Sequence, residues 1–391
     1  MYRIFYAERD TTLYENLVRQ GQNTGVDPIL ELTKIASSSI LNSALQADTY
    51  NSRILLDFGS EITTLSNAIA SGDVPSIGTH ATSASIYLNL HASDANDILK
   101  SYSIEAYPIS ESWDNGTGQY GDSPISKIGA SWLNRSGDGV AQSGIAWNTS
   151  SAHSVNTSAG ALQPLGGGTW ITGNGYSASQ AFVNQSPDLR INVSDIVNNW
   201  ITSGNSQISN NGFIIKRPYA DEISGEAFGS LKFFGRESHT IYVPRLEVCW
   251  DDADISTTLS EISSNTYVPY IKNIKSEYRK WETANFRIGV RPEFPTKTYT
   301  TSSFYLTSNI LPQSSSYSII DSVTNETIIP FTEIANNFSN SKTKISADTV
   351  GSYFKLRMDN FMPERYYKIM LKCERTTDVQ TFDDFYFKVV N

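Results

Sequence analysis

Chemistry needs converging polar groups, and the residues able to supply them lie far apart in this chain. Its four histidines, His80, His91, His153 and His239, are scattered, without the paired spacing that sets two imidazoles on one metal. No G-x-S-x-G elbow is present, which removes the commonest hydrolase signature. Glu111 and Asp114 flank Trp113, and a facing pair of carboxylates is what glycosidic hydrolysis requires. They are the best acid pair on offer. Asp251, Asp252 and Asp254 are close enough to suggest a hard cation, but the glycine and distal glutamate of an EF-hand loop are missing, so a solvated acidic turn is expected. Gly166-Gly167-Gly168 has neither the lysine nor the helix start of a phosphate loop. Cys249 and Cys373 fall on strands of different expected domains and read as two buried thiols. No catalytic, cofactor or metal residue is assigned, and no enzyme is expected.

Tryptophans are the other candidates. Trp113, Trp132, Trp147 and Trp170 punctuate a stretch from residue 113 to 184 dominated by Gly, Ser, Asn and Thr. Exposed rings of this kind stack on sugars, so the four are candidate glycan or partner contacts. Some seventy residues of such composition exceed an ordinary loop of about 12–15 residues. Tryptophans spaced through the segment suit docking onto its own sandwich or an adjacent subunit, and docking is the favoured reading.

The elements that must carry these residues are strands. Ile86, Leu88 and Leu90 alternate cleanly, as do Leu189, Ile191 and Val193. After the second set, Ser194 is placed to cap a short helix, with Asp195 in its first turn. Val193, Ile196, Val197 and Trp200 then form one apolar stripe, and Phe213-Ile214-Ile215 forms a buried strand. The segment 32–46 fits no helical face and reads as loop with at most a helical turn.

Charged residues are 18% of the 391, and no apolar run approaches the roughly 18–20 residues of a membrane span. Abundant Tyr, Phe, Ser, Thr and Asn with little helical periodicity give an all-β class. Met1 to Glu8 lacks a continuous apolar run, so no secretion signal is expected. Residues 1–252 hold 14 Lys and Arg against 25 Asp and Glu, whereas 253–391 hold 16 against 15. An acidic first half argues against nucleic acid as its partner.

Several motifs resemble known families. The unit from Asp188 to Lys216 is similar to the "DVT-x-hydrophobic-V-x-x-W … N-x-G-F" signature of DNRLRE-type domains, jelly rolls related to carbohydrate-binding modules. Asn23-Thr24-Gly25, Ser52 to Phe58, Ser83 to Leu90, Trp113 and Trp132 follow that family's order, although Gly59 stands where it usually has Asp. The resemblance implies a jelly-roll β-sandwich over residues 1–252, with one short helix and 113–184 as an insertion. Residues 253–266 read as a polar linker. Alternation resumes at Phe286 to Val290, Tyr317 to Ile319, Tyr353 to Met358 and Phe385 to Val389. Phe361-Met362-Pro363-Glu364-Arg365-Tyr366-Tyr367 resembles the tyrosine corner of Ig and fibronectin type III sandwiches, with Tyr367 as the pinning residue. An Ig-like domain is expected over 267–391.

Taken whole, the chain resembles virion structural proteins of contractile-tailed phages that infect cyanobacteria. The residues that suggest it are Tyr14 to Asn16, Asn23 to Leu32, Ser230 to Arg236, Tyr242 to Asp252 and Phe385 to Val390. That resemblance implies a non-enzymatic component of the tail, baseplate or neck, made in the host cytoplasm and carried on the virion. It would assemble as a symmetric homo-oligomer with other virion proteins and dock through the C-terminal domain, with no cofactor, nucleic acid or membrane span. The alternative is a carbohydrate-binding adhesin module contacting host surface polysaccharide.

Overall fold

Alternation along the chain becomes one-sided burial where Ile86, Leu88 and Leu90 lie fully inside while Ser85 and Tyr87, which alternate with them, are partly exposed. The computed structural model describes residues 1–16, 18–41, 44–79, 82–137, 144–148, 166–202, 204, 207–294, 308–331, 342–375 and 378–391, the side chains of 36–49 aside. Strands dominate, and the chain forms two compact units. One comprises Phe5–Gly78 and Ile86–Glu247. The other gathers Met1–Ile4, Thr79–Ser85 and Val248–Asn391.

In chain order the first elements are β1 (Tyr2–Tyr6), β2 (Arg9–Tyr14), β3 (Ile29–Leu41), β4 (Ala44–Asp57), α1 (Gly59–Ala70), β5 (Ser85–Leu90), β6 (Ala92–Asn96) and β7 (Ser101–Pro108). There follow β8 (Asn134–Ser136), β9 (Ile145–Ala146), β10 (Ala178–Val183), β11 (Leu189–Asn192), α2 (Ser194–Ile201), β12 (Phe213–Lys216), α3 (Tyr219–Ile223), β13 (Gly229–Phe234) and β14 (Arg245–Cys249). Two antiparallel sheets make the jelly-roll sandwich. One has the order β1-β14-β5-β11; the other runs β10-β7-β12-β4-β3-β13-β6, with β2 also paired to β4. Between them Phe213 meets Trp200 at 4.6 Å and Phe58 at 6.1 Å, so the apolar stripe of α2 packs where its spacing places it.

Three details differ from expectation. The segment 32–46 is not loop: β3 and β4 form a long hairpin whose register runs from Lys34 opposite Asn51 to Leu41 opposite Ala44. Ser194 does not cap α2; its hydroxyl donates to Asn192 Oδ1 at 2.7 Å and accepts the Ile86 amide at 2.8 Å. Three helices are present among the described residues, not one. The unexpected α1 buries Ile62, Leu65 and Ala68, and a distant Glu8 caps it by accepting from the Glu61 amide and the Ser60 hydroxyl.

The second unit is the Ig-like sandwich. Its strands are β15 (Tyr267–Ile271), β16 (Glu277–Arg279), β17 (Thr283–Pro292), β18 (Ser316–Asp321), β19 (Thr327–Ile329), β20 (Ser346–Asp348), β21 (Gly351–Arg357), β22 (Arg365–Arg375) and β23 (Asp378–Val390). They form sheets of order β15-β17-β21-β20 and β16-β23-β22-β18-β19, the partition that Ig-like domains use. Tyr367 donates its hydroxyl to the Met362 carbonyl at 2.9 Å, which is the tyrosine corner. Phe286, Phe354 and Phe387 fill the core between the sheets. Asn360 reaches the N-terminal strand, accepting from the Ile4 amide at 2.8 Å and donating to the Tyr2 carbonyl at 2.9 Å. Residues 253–266 run pinned along this unit. Ile255 bridges Ala347, Glu261 bridges Ile310, and Ile262 is buried.

Candidate functional site

β4 and β12 are buried on both faces, because an ordinary alternating strand is here replaced by Arg53-Ile54-Leu55-Leu56 and Phe213-Ile214-Ile215-Lys216. One face serves the sandwich core. The other is covered by the glycine-rich insertion, whose four tryptophans form a cluster with Leu13, Leu55, Ile109, Ala130 and Ile214. Trp113, Trp132, Trp147 and Trp170 are only 2%, 1%, 3% and 4% exposed. Trp113 Nε1 donates to the Asn211 carbonyl and Trp147 Nε1 to the Ser131 carbonyl, both at 2.9 Å. Rings sealed in this way have no free face for a sugar, so the structure places all four candidates in a core and not on a platform. Of the chain's seven tryptophans, only Trp281 is mostly exposed, at 68%.

Inside this cover sits an ionic cluster that sequence reasoning missed. Arg53 is fully buried and grips Glu222 of α3 through two parallel bonds of 2.9 Å. Its guanidinium lies between Trp132 and Trp170, 4.8 Å and 5.0 Å from the ring centres. Lys216 reaches the same carboxylate at 3.1 Å. Lys34 donates to the Glu222 carbonyl at 2.6 Å, and Asn51 joins that carbonyl to Glu15. Arg217 donates to the Phe228 carbonyl at 3.0 Å. Burial lowers the pKa of Lys34, Lys216 and Arg217 and raises that of Glu15. A signal was there to be read: Arg53 and Lys216 abut the apolar runs Ile54-Leu55-Leu56 and Phe213-Ile214-Ile215, and a strand buried on both faces leaves such a charge no route to water.

Gly166-Gly167-Gly168 explains how the insertion can lie so close. The Gly167 carbonyl accepts from Arg53 Nη1 at 2.6 Å. At φ +81°, a Cβ on Gly167 would sit 2.5 Å from Arg53 Nη1 and 2.8 Å from Trp132 Cζ2. Neither the conformation nor the space admits a side chain. The triplet is a crossing of backbone over a buried cation.

A second buried group lies at the start of the same unit. Asp10 accepts the Arg236 amide at 2.6 Å, its own amide donates to Asn115 of the insertion, and burial pushes its carboxyl up to about 7. Arg236, Glu237 and Asp27 are the charges that face it.

The remaining sequence candidates have structural occupations. Glu111 accepts from the Asn148 amide at 2.9 Å and the Thr169 hydroxyl at 2.7 Å, while Asp114 accepts from the Ser136 hydroxyl. Both carboxylates tie down the insertion. Asp252 pairs with the Met1 amine at 2.6 Å, and Asp251 accepts the Ala253 amide at 3.0 Å. His91 is half-buried against Tyr242, and the loss of solvent around its ring lowers its pKa to about 4, so it is neutral at pH 7. His80 and His153 lie outside the described residues. Cys249 and Cys373 are buried thiols. Among the described residues no three His, Cys, Asp or Glu side chains converge to hold a metal, and no helix is long and apolar enough to cross a membrane. No protein-family model matches this chain, and no curated protein does.

Proposed function

We propose that the chain is a non-enzymatic structural component of a tailed-phage virion, in the tail, baseplate or neck region. It assembles as a symmetric oligomer and docks through its Ig-like unit. The observation that carries this reading is the fate of the reactive groups. The tryptophans and the carboxylates best placed for sugar chemistry are spent on packing an insertion against its own sheet, which leaves shape and surface for the chain to work with. The virion context rests on the sequence resemblance, and a domain of either type serves many functions elsewhere. Quantitative mass spectrometry of purified, salt-washed particles tests it. The expected result is a fixed copy number that is a multiple of the particle's rotational order. Absence from washed particles overturns the reading.

A glycan-contact reading falls to Trp281, which is exposed beside Arg279, with the guanidinium 5.3 Å from its ring centre. Binding to a glycan array that disappears in Trp281→Ala would favour it; an array that stays blank removes it.

A further inference from the structure

The outer face of the β15-β17-β21-β20 sheet has an unusual make-up. Inward residues Ala284, Phe286, Ile288 and Val290 of β17 are buried, so Asn285, Arg287, Gly289 and Arg291 point out. Register places Tyr270 of β15 opposite Gly289, Tyr353 of β21 opposite Arg287, and Lys355 opposite Asn285. Lys272 follows β15 on the same side, its amide bonded to the Arg287 carbonyl. Five cations therefore share one sheet face: Lys272, Arg287, Arg291, Lys355 and Arg357.

Two of them are neutralised, Arg287 by Asp348 at 2.5 Å and Arg357 by Asp359 at 3.0 Å. Lys272, Arg291 and Lys355 are exposed and have no ion-pair partner among the described residues. Aromatic rings lie among the charges. Arg287 stacks on Tyr353 at 4.6 Å, and Tyr270 lies across Gly289, where a Cβ would fall 2.4 Å from its Cζ. That glycine keeps the face low enough for another surface to approach.

The other unit of the chain is of opposite net charge to this face. The unit formed by Phe5–Gly78 and Ile86–Glu247 holds 13 Lys and Arg against 23 Asp and Glu, a net of −10. Among the described residues its buried cations are Lys34, Arg53, Lys216, Arg217 and Arg245, and its buried acids are Asp10, Glu15, Asp57, Glu222 and Glu247. Five cancel five, so the negative excess falls outside the core. The Ig-like unit, with 17 of each sign, is neutral overall, yet this face of it carries more cations than acids.

We propose that the outer β15-β17-β21-β20 face docks the acidic jelly-roll unit of a second copy of this chain. The contact is heterologous, one unit type against the other, and closes into a ring when the rotation between successive copies divides a full turn. The proposal deepens the structural-component reading by naming the face used. Opposite charge steers the encounter, and the tyrosines supply apolar area at the centre.

Sedimentation velocity on the full chain, at low and at high salt, is the test. Wild type self-associates at low salt and dissociates at high salt. The triple variant Lys272→Glu, Arg291→Glu, Lys355→Glu weakens association by about 100-fold, and neutralising all three to Gln weakens it less. Lys275→Glu, Lys280→Glu, Lys368→Glu makes the same change of charge elsewhere on the same unit and leaves association intact. Circular dichroism confirms that each variant is folded. A monomeric wild type, an equal loss in both triple variants, or no loss in the first overturns the proposal. So does binding of a single-stranded oligonucleotide that competes with self-association. Association in solution by a chain absent from particles would sink the virion reading and leave this one standing.

Discussion

Two sheet faces of this molecule carry arginine, lysine and aromatic rings, and they have opposite fates. The outer face of β4 and β12 is roofed by the chain's own insertion, and its cations are paired with Glu222, with carbonyls and with tryptophan rings. Among the described residues nothing covers the outer face of the β15-β17-β21-β20 sheet in this way, and Lys272, Arg291 and Lys355 are exposed on it. The same residue types thus act as fastening in one place and as open surface in the other. What separates the two is whether a long glycine-bearing segment is available to lie across the sheet. A cation under a roof must be matched group by group, because an unpaired buried charge costs several kcal/mol. A cation on an open face costs little and keeps its field for a partner.

The largest test of this contrast is Glu222→Gln. It leaves Arg53 and Lys216 buried together without their carboxylate, and urea unfolding should show a loss of about 3–5 kcal/mol. A loss below about 1 kcal/mol would mean that the roof does not depend on the pair.

Asp10 provides an intermediate one, through pH. Its folded carboxyl is raised to about 7 from an ordinary 3.8, so the folded state holds a proton that the unfolded chain has released. The resulting stability is fully present below the unfolded value and is lost as pH rises through 7. His91, lowered to about 4 by burial, acts in the other direction: its charging costs stability as pH falls below its unfolded value of about 6.5. Asp10→Asn should remove the decline between about pH 4 and pH 7 and leave the histidine's contribution below about pH 6.5. A thermal-unfolding series in which wild type and variant run parallel would refute the assignment.

The smallest effect belongs to the open face. Lys355→Gln should change unfolding stability by less than about 0.5 kcal/mol, because nothing in the fold relies on that charge. A larger change would show that the face is structurally committed.

Much of the fold could be read from the sequence, for local reasons. Ile86, Leu88 and Leu90 alternate because one side of β5 is buried, and the run ending in Tyr367 states its corner within seven residues. The docked insertion was announced by its tryptophan spacing. What escaped reading depends on distant partners. Helix α1 takes its cap from Glu8, over fifty residues earlier in the chain. The β3–β4 hairpin extends through a serine-rich stretch with no apolar alternation to report it. Arg53 and Glu222 are 169 residues apart, and each in isolation looks like a surface charge. The four tryptophans stand between these cases: sequence shows that a tryptophan wants cover, but not whether the chain itself or a neighbour supplies it.

Asn360 clasps the backbone at Tyr2 and Ile4, positions 358 and 356 residues before it. During translation those early residues leave the ribosome long before their clasp has been made. The jelly roll, whose last strand β14 ends at Cys249, can close while synthesis continues, and the Ig-like unit must wait for β23. Assembly through that later unit would therefore follow the emergence of β23 and come after the jelly roll has closed.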